Sequence, residues 1–479
     1  MTDICDHTAT QLKEKVESKE VSCEEVVLGS IRRYESVNPS INAIVITNFE
    51  KALDDARRLD RSLARRNLAD FEIPLPIAIK DLNDVNGLLT TFGSPLFKSN
   101  MCNQDDDVVA NLRRNSLIML GKSNVPEHGF GATTTNPLFG STGNPFNPKL
   151  SAGASTGGGA AAVCAGITTL ATGSDFAGSL RTPASFCGIS GVRPSNGVVG
   201  TARRTNIWSP FDVEGPMGKT AEDCKLLLKS MAQKHKDDPF SITPDDSLFK
   251  PAEEIDLQKL SVAYSEDLGF APVSTLCRET FRRKFKEFSG LFRSVVPDHV
   301  DFSLATETFM TLRGVGFVGD FGKMEEEFGS ALGSVVIEEL KKARKLSAES
   351  IARAFMQHSE IYKQSSLFFK KYDLLITPAA AVTPFPHEAI YPEKIDDCLM
   401  AGYLDWESIA WAITLTQCPA VVIPCGLDNN GMPFGIQIVG KRHHDGFLLD
   451  AAHSLELALN KSEVTSRPIP DFNNLSLTS

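Results

Sequence analysis

The sequence predicts an α/β protein that folds as one large domain around a mixed, largely buried β-sheet flanked by helices on both faces. Short β-branched runs alternate with helix-like stretches along much of the chain, which is typical of this class. Hydrophobic residues make up 42% and charged residues 23% of the 479 residues, as in ordinary globular proteins. No internal repeat or low-complexity linker divides the chain. This composition excludes wholesale disorder, collagen-like repetition and a disulfide miniprotein.

The predicted elements follow that alternation. Residues 1–70 are expected to form a helical preamble, in which apolar residues recur at helical spacing over 10–66 and Asn38-Pro39-Ser40 breaks the helix. The Phe-rich segment 303–371 is also helical in pattern, and we expect the region 300–410 to cap or line a pocket. The strand-like runs lie at 73–79, 117–120, 198–199, 260–264, 374–377 and 420–424.

The charge balance argues against nucleic-acid and membrane partners. Lys and Arg total 49 against 60 Asp and Glu, a net charge of −11, which repels phosphate polymers and anionic lipids. The amino terminus carries Asp3 and Asp6 where a secretory signal would be basic, and no apolar run approaches the ~20 residues of a membrane helix. We therefore expect a cytoplasmic protein.

The ten cysteines are scattered, with no C-x-x-C pair and no short spacing to histidine. A zinc site or a disulfide framework would need such spacing. Reduced and mostly buried thiols are therefore expected, and no metal or organic cofactor is implied.

A glycine-rich stretch at 151–159 offers a first candidate nucleophile, Ser155. Gly153-x-Ser155-x-Gly157 fits the nucleophile elbow of α/β-hydrolases, which needs an Asp and then a His downstream. The histidines at 443, 444 and 453 could supply the base, so this motif leaves the elbow open. A phosphate cradle fits less well because no Gly-Lys-[Ser/Thr] closes the loop.

A second glycine-flanked serine, Ser179, follows Phe176-Ala177-Gly178. The four consecutive N–H groups of residues 176–179 could converge on one point and form an oxyanion hole. Lys80 ends an apolar strand-like run, where burial would lower its pKa from about 10.4 and let the neutral amine act as a base. The sequence thus supplies a nucleophile, an oxyanion site and a non-histidine base.

Lys80, Ser155 and Ser179, with their order, spacing and glycine context, resemble the amidase signature family and its Ser–cisSer–Lys triad. Further text similar to that family lies at 173–188 and 419–440, so the resemblance covers nearly the whole chain. It implies a catalytic core at 76–200 within a single domain of residues 1–479.

Carried over by this resemblance, Ser179 is the nucleophile, Ser155 is the cis-peptide serine that relays the proton, and Lys80 is the final base. The resemblance implies a cis peptide bond at Ala154–Ser155. The oxyanion donors would be the N–H groups of Phe176, Ala177, Gly178 and Ser179, and the loop would be supported by Asp175 and Arg181.

Two departures from the family pattern stand out. The usual Gly-Gly-Ser-Ser-Gly-Gly is here Gly153-Ala-Ser-Thr-Gly-Gly158, and the usual Gly-Gly-Ser at the nucleophile is Ala177-Gly178-Ser179. Neither change removes a catalytic hydroxyl or amine. Both bear on the shape of the pocket and on the substrate more than on the reaction type.

The implied function is hydrolysis of a carboxylic amide, with an ester or carbamate also open, through an acyl-enzyme and without a cofactor. One alternative is the glutaminase (A) component of a glutamyl-tRNA amidotransferase, which would free ammonia from glutamine in a complex. Another is a non-catalytic binding protein on the same scaffold. The missing Gly-Gly-Ser and the text after Arg193 favour a stand-alone amidase, for which the resemblance leaves a homodimer open.

The substrate is expected to be apolar or aromatic. Pocket walls are expected from 97–140, 205–215 and 300–410, and His128 should be structural or pocket-lining. The aromatic residues in or near these segments that could line the pocket are Phe97, Phe130, Phe139, Trp208, Phe317, Phe321, Tyr403 and Trp411.

Overall fold

The computed structural model describes residues 3–69, 72–202, 206–472 and 475. Its centre is an 11-stranded sheet, with three two-stranded sheets beside it. The strands are β1 (Ile44–Thr47), β2 (Pro76–Lys80), β3 (Ile118–Ser123), β4 (Thr135–Asn136), β5 (Gly140–Ser141), β6 (Gly143–Asn144), β7 (Asn147–Ser151), β8 (Leu170–Asp175), β9 (Ser190–Arg193), β10 (Val213–Gly218), β11 (Ser261–Tyr264), β12 (Ser294–Pro297), β13 (Leu374–Pro378), β14 (Lys394–Ile395), β15 (Cys398–Leu399), β16 (Ala420–Leu427) and β17 (Pro433–Gly440).

Helices pack around this sheet. The described α-helices are α1 (Ala9–Glu17), α2 (Cys23–Ile41), α3 (Phe49–Leu63), α4 (Asp107–Arg114), α5 (Gly157–Cys164), α6 (Arg181–Cys187), α7 (Ala221–Met231), α8 (Thr275–Phe288), α9 (Ala305–Phe328), α10 (Ser334–Ala343), α11 (Ala348–Phe368), α12 (Ser408–Thr416) and α13 (Asp445–Leu459).

The large sheet runs in the order β1-β3-β2-β8-β10-β9-β16-β17-β13-β11-β12. It is mixed: β2 pairs parallel with β3 and β8, and β11 pairs parallel with β12 and β13, whereas the other pairs are antiparallel. The predicted α/β fold with a mixed sheet flanked by helices is confirmed. Because β2 and β8 are parallel neighbours, their carboxyl ends lie at the same edge of the sheet.

The helical preamble holds three helices but also β1, which joins the large sheet by pairing with β3. Pro39 does not break α2, because it lies in the last turn of a helix that continues to Ile41. There the side chain of Asn38 accepts from the N–H groups of Ala43 and Ile44, which ties the end of the helix to β1.

Most predicted strands are present with shifted ends, but 198–199 is not a strand. Val199 forms an isolated bridge with Gln233. Six strands of the large sheet were not predicted, namely β1, β8, β9, β10, β12 and β17. Several of these are rich in glycine or small residues, so β-branched enrichment does not mark them.

The buried hydrophobic side chains form two separate clusters. A large cluster surrounds the sheet, and a small one contains Phe317 of α9, Leu332, and Val336 and Leu340 of α10. Phe130 and Phe321 pack against the small cluster. The predicted helical segment 303–371 is confirmed as α9, α10 and α11, and it builds this second cluster against the chain around 96 and 130.

The ten cysteines are free, and all but Cys398 are buried, as the sequence predicts. Among the described helices, none is long and apolar enough to cross a membrane.

Candidate active site

Lys80 is the last residue of β2, a strand of five buried residues. Its own side chain has no exposed surface. The N–H of Lys80 donates to Thr172 Oγ1 of β8 at 3.1 Å, while its Nζ donates to Ser155 Oγ at 2.8 Å and to Ser174 Oγ at 3.0 Å. The amine is therefore fixed between two hydroxyl groups at the edge of the sheet.

Ser155 lies in the turn that leads from β7 into α5, and the Ala154–Ser155 peptide bond is cis, as predicted. The turn is held by Thr134, whose Oγ1 donates to the carbonyl of Gly153 at 2.8 Å and accepts from the N–H of Gly157 at 3.1 Å. Gly153 has a φ of +82°, and a Cβ there would lie 2.7 Å from Pro183 Cα, so only glycine fits.

Ser179 lies in the turn between β8 and α6 and is half-buried. The N–H of Thr156 donates to the carbonyl of Ser179 at 3.3 Å, so the two serine-bearing turns lie side by side. Gly178 has a φ of +126°, and a Cβ there would lie 2.7 Å from the Cβ of Ala410. The glycine before Ser179 is thus required by both conformation and space.

Asp175 ends β8 and organises this turn. Its carboxylate accepts from the N–H of Gly178 at 3.0 Å and of Leu180 at 3.2 Å, and from Arg181 Nε at 3.0 Å. A second guanidinium, that of Arg193, lies 3.3 Å from Asp175 Oδ1. Burial raises the pKa of Asp175, but the charges and hydrogen bonds of Arg181 and Arg193 outweigh it and hold that pKa well below its ordinary value.

The four predicted oxyanion donors differ in their partners. The N–H of Gly178 donates to Asp175, so this donor is already occupied. Within the described residues, the N–H groups of Phe176, Ala177 and Ser179 make no hydrogen bond. Three of the four predicted donors therefore point to no protein acceptor.

Burial shifts the ionisation of two facing groups in opposite directions. Burial lowers the pKa of Lys80, although the negative charges of Glu214, Asp212 and Asp175 oppose this. Burial also raises the pKa of Glu214 in β10, and the charge of Asp212 adds to that effect. Both shifts favour the neutral forms of the amine and of the carboxyl group.

These residues form the floor of a cavity of about 530 Å³, which is the size of a small-molecule site. Ser155, Ser174, Ser179 and Glu214 line it, and Lys80 lies beneath them. Among the residues described, no group of three or more His, Cys, Asp or Glu side chains is arranged to hold a metal ion.

Aromatic rings form much of the remaining wall. His128 contacts Phe97 and Phe321, with ring centroids 5.9 and 5.5 Å apart, and Phe130 lies 4.5 Å from Phe317. Burial lowers the pKa of His128 to about 4, so the ring is neutral near pH 7. The aromatic residues other than histidine that line the cavity are Phe92, Phe97, Phe130, Phe176, Trp208, Phe211, Phe317, Phe321 and Phe355.

Five of the eight predicted aromatic residues thus line the cavity, but Phe139, Tyr403 and Trp411 do not. Trp411 is buried and stacks on Phe309, with centroids 4.6 Å apart. Tyr403 accepts a hydrogen bond from Arg313 and so orients a cavity residue from behind. Phe139 lies in the small β4–β5 hairpin, where its carbonyl accepts from Asn42 Nδ2 at 2.7 Å. Thr205, which begins the predicted wall segment 205–215, lies outside the described residues.

The geometry does not support a nucleophile elbow at Ser155. Its Oγ accepts from Lys80, and the histidines that line the cavity are His128 and His358, not those at 443, 444 and 453. His358 Nε2 lies 3.0 Å from the carbonyl oxygen of Leu415.

Sequence reasoning missed Ser174, Arg193 and Glu214. Ser174 falls inside the glycine-rich motif, and its position four residues before Gly178 gave it no mark of its own. Glu214 is brought to the site only because β10 pairs with β8, which places it opposite Ser174. That pairing has no local signal in the sequence.

Comparisons with known proteins agree with this architecture. The family model described as Amidase matches residues 25–449. An acylamidase from Rhodococcus erythropolis is 31% identical over 454 residues, covering 94% of each chain. The glutaminase (A) component of the glutamyl-tRNA(Gln) amidotransferase from Agathobacter rectalis is 28% identical over 479 residues, covering 95% of this chain and 94% of the relative.

A solved structure of a bacterial aryl acylamidase, described as one of the amidase signature enzymes, superposes with a TM-score of 0.87. It is 24% identical and covers 94% of this chain and 96% of its own. The likeness shows that the two share a fold. The match to the family model extends over most of the chain, and this protein belongs to the amidase signature family.

Proposed function

We propose that this amidase-family protein hydrolyses the C–N bond of a carboxylic amide through an acyl-enzyme on Ser179, with Ser155 and Lys80 moving the proton. One observation carries the proposal. Lys80 Nζ lies 2.8 Å from Ser155 Oγ at the floor of a cavity that Ser179 also lines. A hydroxyl needs a base to become a nucleophile, and a buried, neutral lysine can be that base.

In this mechanism the neutral amine of Lys80 takes the proton of Ser155, which takes that of Ser179. The Oγ of Ser179 attacks the amide carbonyl and forms a tetrahedral intermediate. The relay then returns the proton to the leaving nitrogen, the C–N bond breaks, and an ester to Ser179 remains. Water attacks this ester by the same relay and releases the carboxylic acid.

The negative charge on the tetrahedral intermediate would be taken up by the N–H groups of Phe176, Ala177 and Ser179. Their turn is held by Asp175, which in turn is fixed by Arg181. Donors that are fixed before the reaction stabilise a developing charge without having to reorganise. In this proposal Asp175 and Arg181 position the donors and do not touch the substrate.

The aromatic wall supports an apolar or aryl substrate. The rings of Phe97, Phe130, Phe317 and Phe321 would take up an aryl or acyl group by burial and edge contacts. An acylamidase among the relatives is in keeping with this choice. The same acyl-enzyme would also serve an aryl ester or carbamate. Residues 300–410 act as the cap in this proposal, because α9 and α11 contribute to the wall.

The test is hydrolysis of p-nitroacetanilide, a long-chain acyl anilide, an aryl carbamate and glutamine by wild type, Ser179→Ala and Lys80→Ala. We expect turnover of an anilide or carbamate that both substitutions abolish. Activity that survives Ser179→Ala but is lost in Ser155→Ala would contradict the assignment of the nucleophile. Failure of a fluorophosphonate to label the wild type would favour a non-catalytic binding protein.

The glutaminase component of a tRNA-dependent amidotransferase is the second candidate, because such proteins are among the relatives. Its substrate is polar, whereas this cavity is lined by many aromatic rings. Activity on glutamine alone, and only with a partner protein, would decide for this alternative. The cytoplasmic location and the homodimer stay predictions from the sequence.

A further inference from the structure

Glu214 lies beside the hydrogen bonds of Lys80 although the proposed mechanism gives it no role. In the antiparallel pairing of β10 with β8, Glu214 is opposite Ser174. Residues directly opposite in such a pair project to the same face of the sheet. Ser174 Oγ accepts from Lys80 Nζ at 3.0 Å, so the carboxyl group of Glu214 faces the surroundings of the amine.

Only one oxygen of Glu214 is satisfied. Its Oε1 accepts from Asn83 Nδ2 at 3.1 Å, whereas Oε2 is buried and has no hydrogen-bond partner among the described residues. A buried, unpartnered carboxylate oxygen is costly, and a proton on that oxygen removes the charge. The site therefore favours a carboxyl group that can hold a proton.

Several other charges face this pair. Asp212 and Asp106, which also line the cavity, act on Glu214, and Asp212 and Asp175 act on Lys80. The charge of Asp175 is balanced by its ion pairs with two arginines. After burial, Glu214 has the largest influence on Lys80.

We propose that Glu214 shares one proton with Lys80 and thereby sets the pH at which Lys80 becomes the free amine. This inference rests on the proposed function, and Glu214 is a positioning residue in it. In the one-proton state the proton is on Glu214, leaving the amine of Lys80 ready, or on Lys80, facing a carboxylate. When Ser179 gives up its proton through Ser155, Lys80 becomes an ammonium and the Glu214 carboxylate balances its charge.

The experiment measures the rate at which a fluorophosphonate inactivates the enzyme, between about pH 5 and pH 10, since this needs no knowledge of the substrate. Wild type is compared with Glu214→Gln and Glu214→Ala. Both variants remove a negative charge that favours the ammonium, so the rise in rate should move to lower pH by about one unit. Glu214→Asp keeps a carboxyl group and should restore the midpoint towards that of wild type.

Asp320→Asn is the matched control. Asp320 is another half-buried carboxyl group of the cavity, in α9, and its pKa is raised by burial and by the charge of Asp212. Its charge is not among those that act on Lys80. The midpoint should therefore stay at the wild-type value in this variant, even if the rate itself changes.

Each result has one meaning. A folded Glu214→Gln or Glu214→Ala enzyme whose midpoint equals that of wild type would overturn the inference and leave the proposed function standing. An equal shift in Asp320→Asn would also overturn it, because the effect would then be one of overall cavity charge. Absence of Ser179-dependent labelling in the wild type would remove the proposed function and this inference together. Thermal unfolding checks that each variant is folded.

Discussion

The floor and the wall of the cavity are built by different physical means. The floor consists of polar groups at one edge of the large sheet, such as Lys80, Ser155 and Asp175, each fixed by several hydrogen bonds. The wall around Phe130 and Phe321 consists of rings packed on a small apolar cluster separate from the main core. Directional bonds fix the positions of single atoms, whereas apolar packing specifies a volume.

This difference predicts different consequences of substitution. A change in the floor should lower the rate of the chemical step or the stability of the fold, because each group has partners that cannot be replaced. A change in the wall should alter substrate binding and leave the chemistry in place.

The largest effect is expected for Lys80→Met. The variant removes the base and keeps an unbranched side chain of similar length, so kcat/KM should fall by roughly 10²- to 10⁴-fold. Steady-state kinetics on the best anilide would measure it. Lys219→Met is the matched control: Lys219 is also buried, but it donates to the carbonyl of Cys5 and lies away from the cavity. It should reduce stability and preserve kcat. An equal loss of kcat in both variants would contradict the role of Lys80.

Asp175→Asn should destabilise the fold strongly. The carboxylate is buried between Arg181 and Arg193, and an amide would leave two buried guanidinium groups without a negative partner. Breaking a buried pair in this way costs about 3–5 kcal/mol in the free energy of unfolding. Urea unfolding followed by circular dichroism would measure it. An unfolding free energy close to that of wild type would show that the turn does not depend on this charge.

Phe321→Ala tests the wall. The ring packs against His128, Phe130 and Phe317, so its loss should raise KM for an aryl anilide about tenfold, as expected for one lost aromatic contact surface, with little change in kcat. Phe249→Ala, at an exposed phenylalanine that does not line the cavity, is the control. A fall in kcat with an unchanged KM would mean that the wall acts on the chemistry after all.

The smallest effect is expected for Trp208→Ala. Trp208 lines the cavity but is 71% exposed, so it can contribute only part of its surface to a bound substrate. KM for a short anilide should change by less than about threefold. A larger increase for a long-chain anilide than for a short one would show that long substrates extend past Trp208 to the mouth of the cavity.

The same contrast explains what could be predicted from the sequence. Lys80, Ser155 and Ser179 lie in motifs with glycines that their turns require, so a local pattern marked each of them. Ser174 and Glu214 come together through the pairing of β8 with β10, strands in which glycine and other small residues hide any β-strand pattern.

The wall was predicted less well for a similar reason. Phe97, Phe130 and Phe317 meet only when α9 packs on a distant loop, and composition cannot distinguish them from Trp411, which is buried in the main core. The prediction of a strand at 198–199 was wrong because two valines can be buried without pairing along a ladder. Local chemistry was readable from the sequence, whereas contacts between distant segments were not.

The separation of the small apolar cluster from the main core has a consequence for the evolution of substrate range. Free-energy effects of substitutions that share no contacts add nearly independently. Changes at Leu332, Val336 or Leu340 can therefore reshape the wall without compensating changes around Lys80. A lineage carrying this fold could acquire new substrates by successive substitutions in α9 and α10 while it inherits the same catalytic residues.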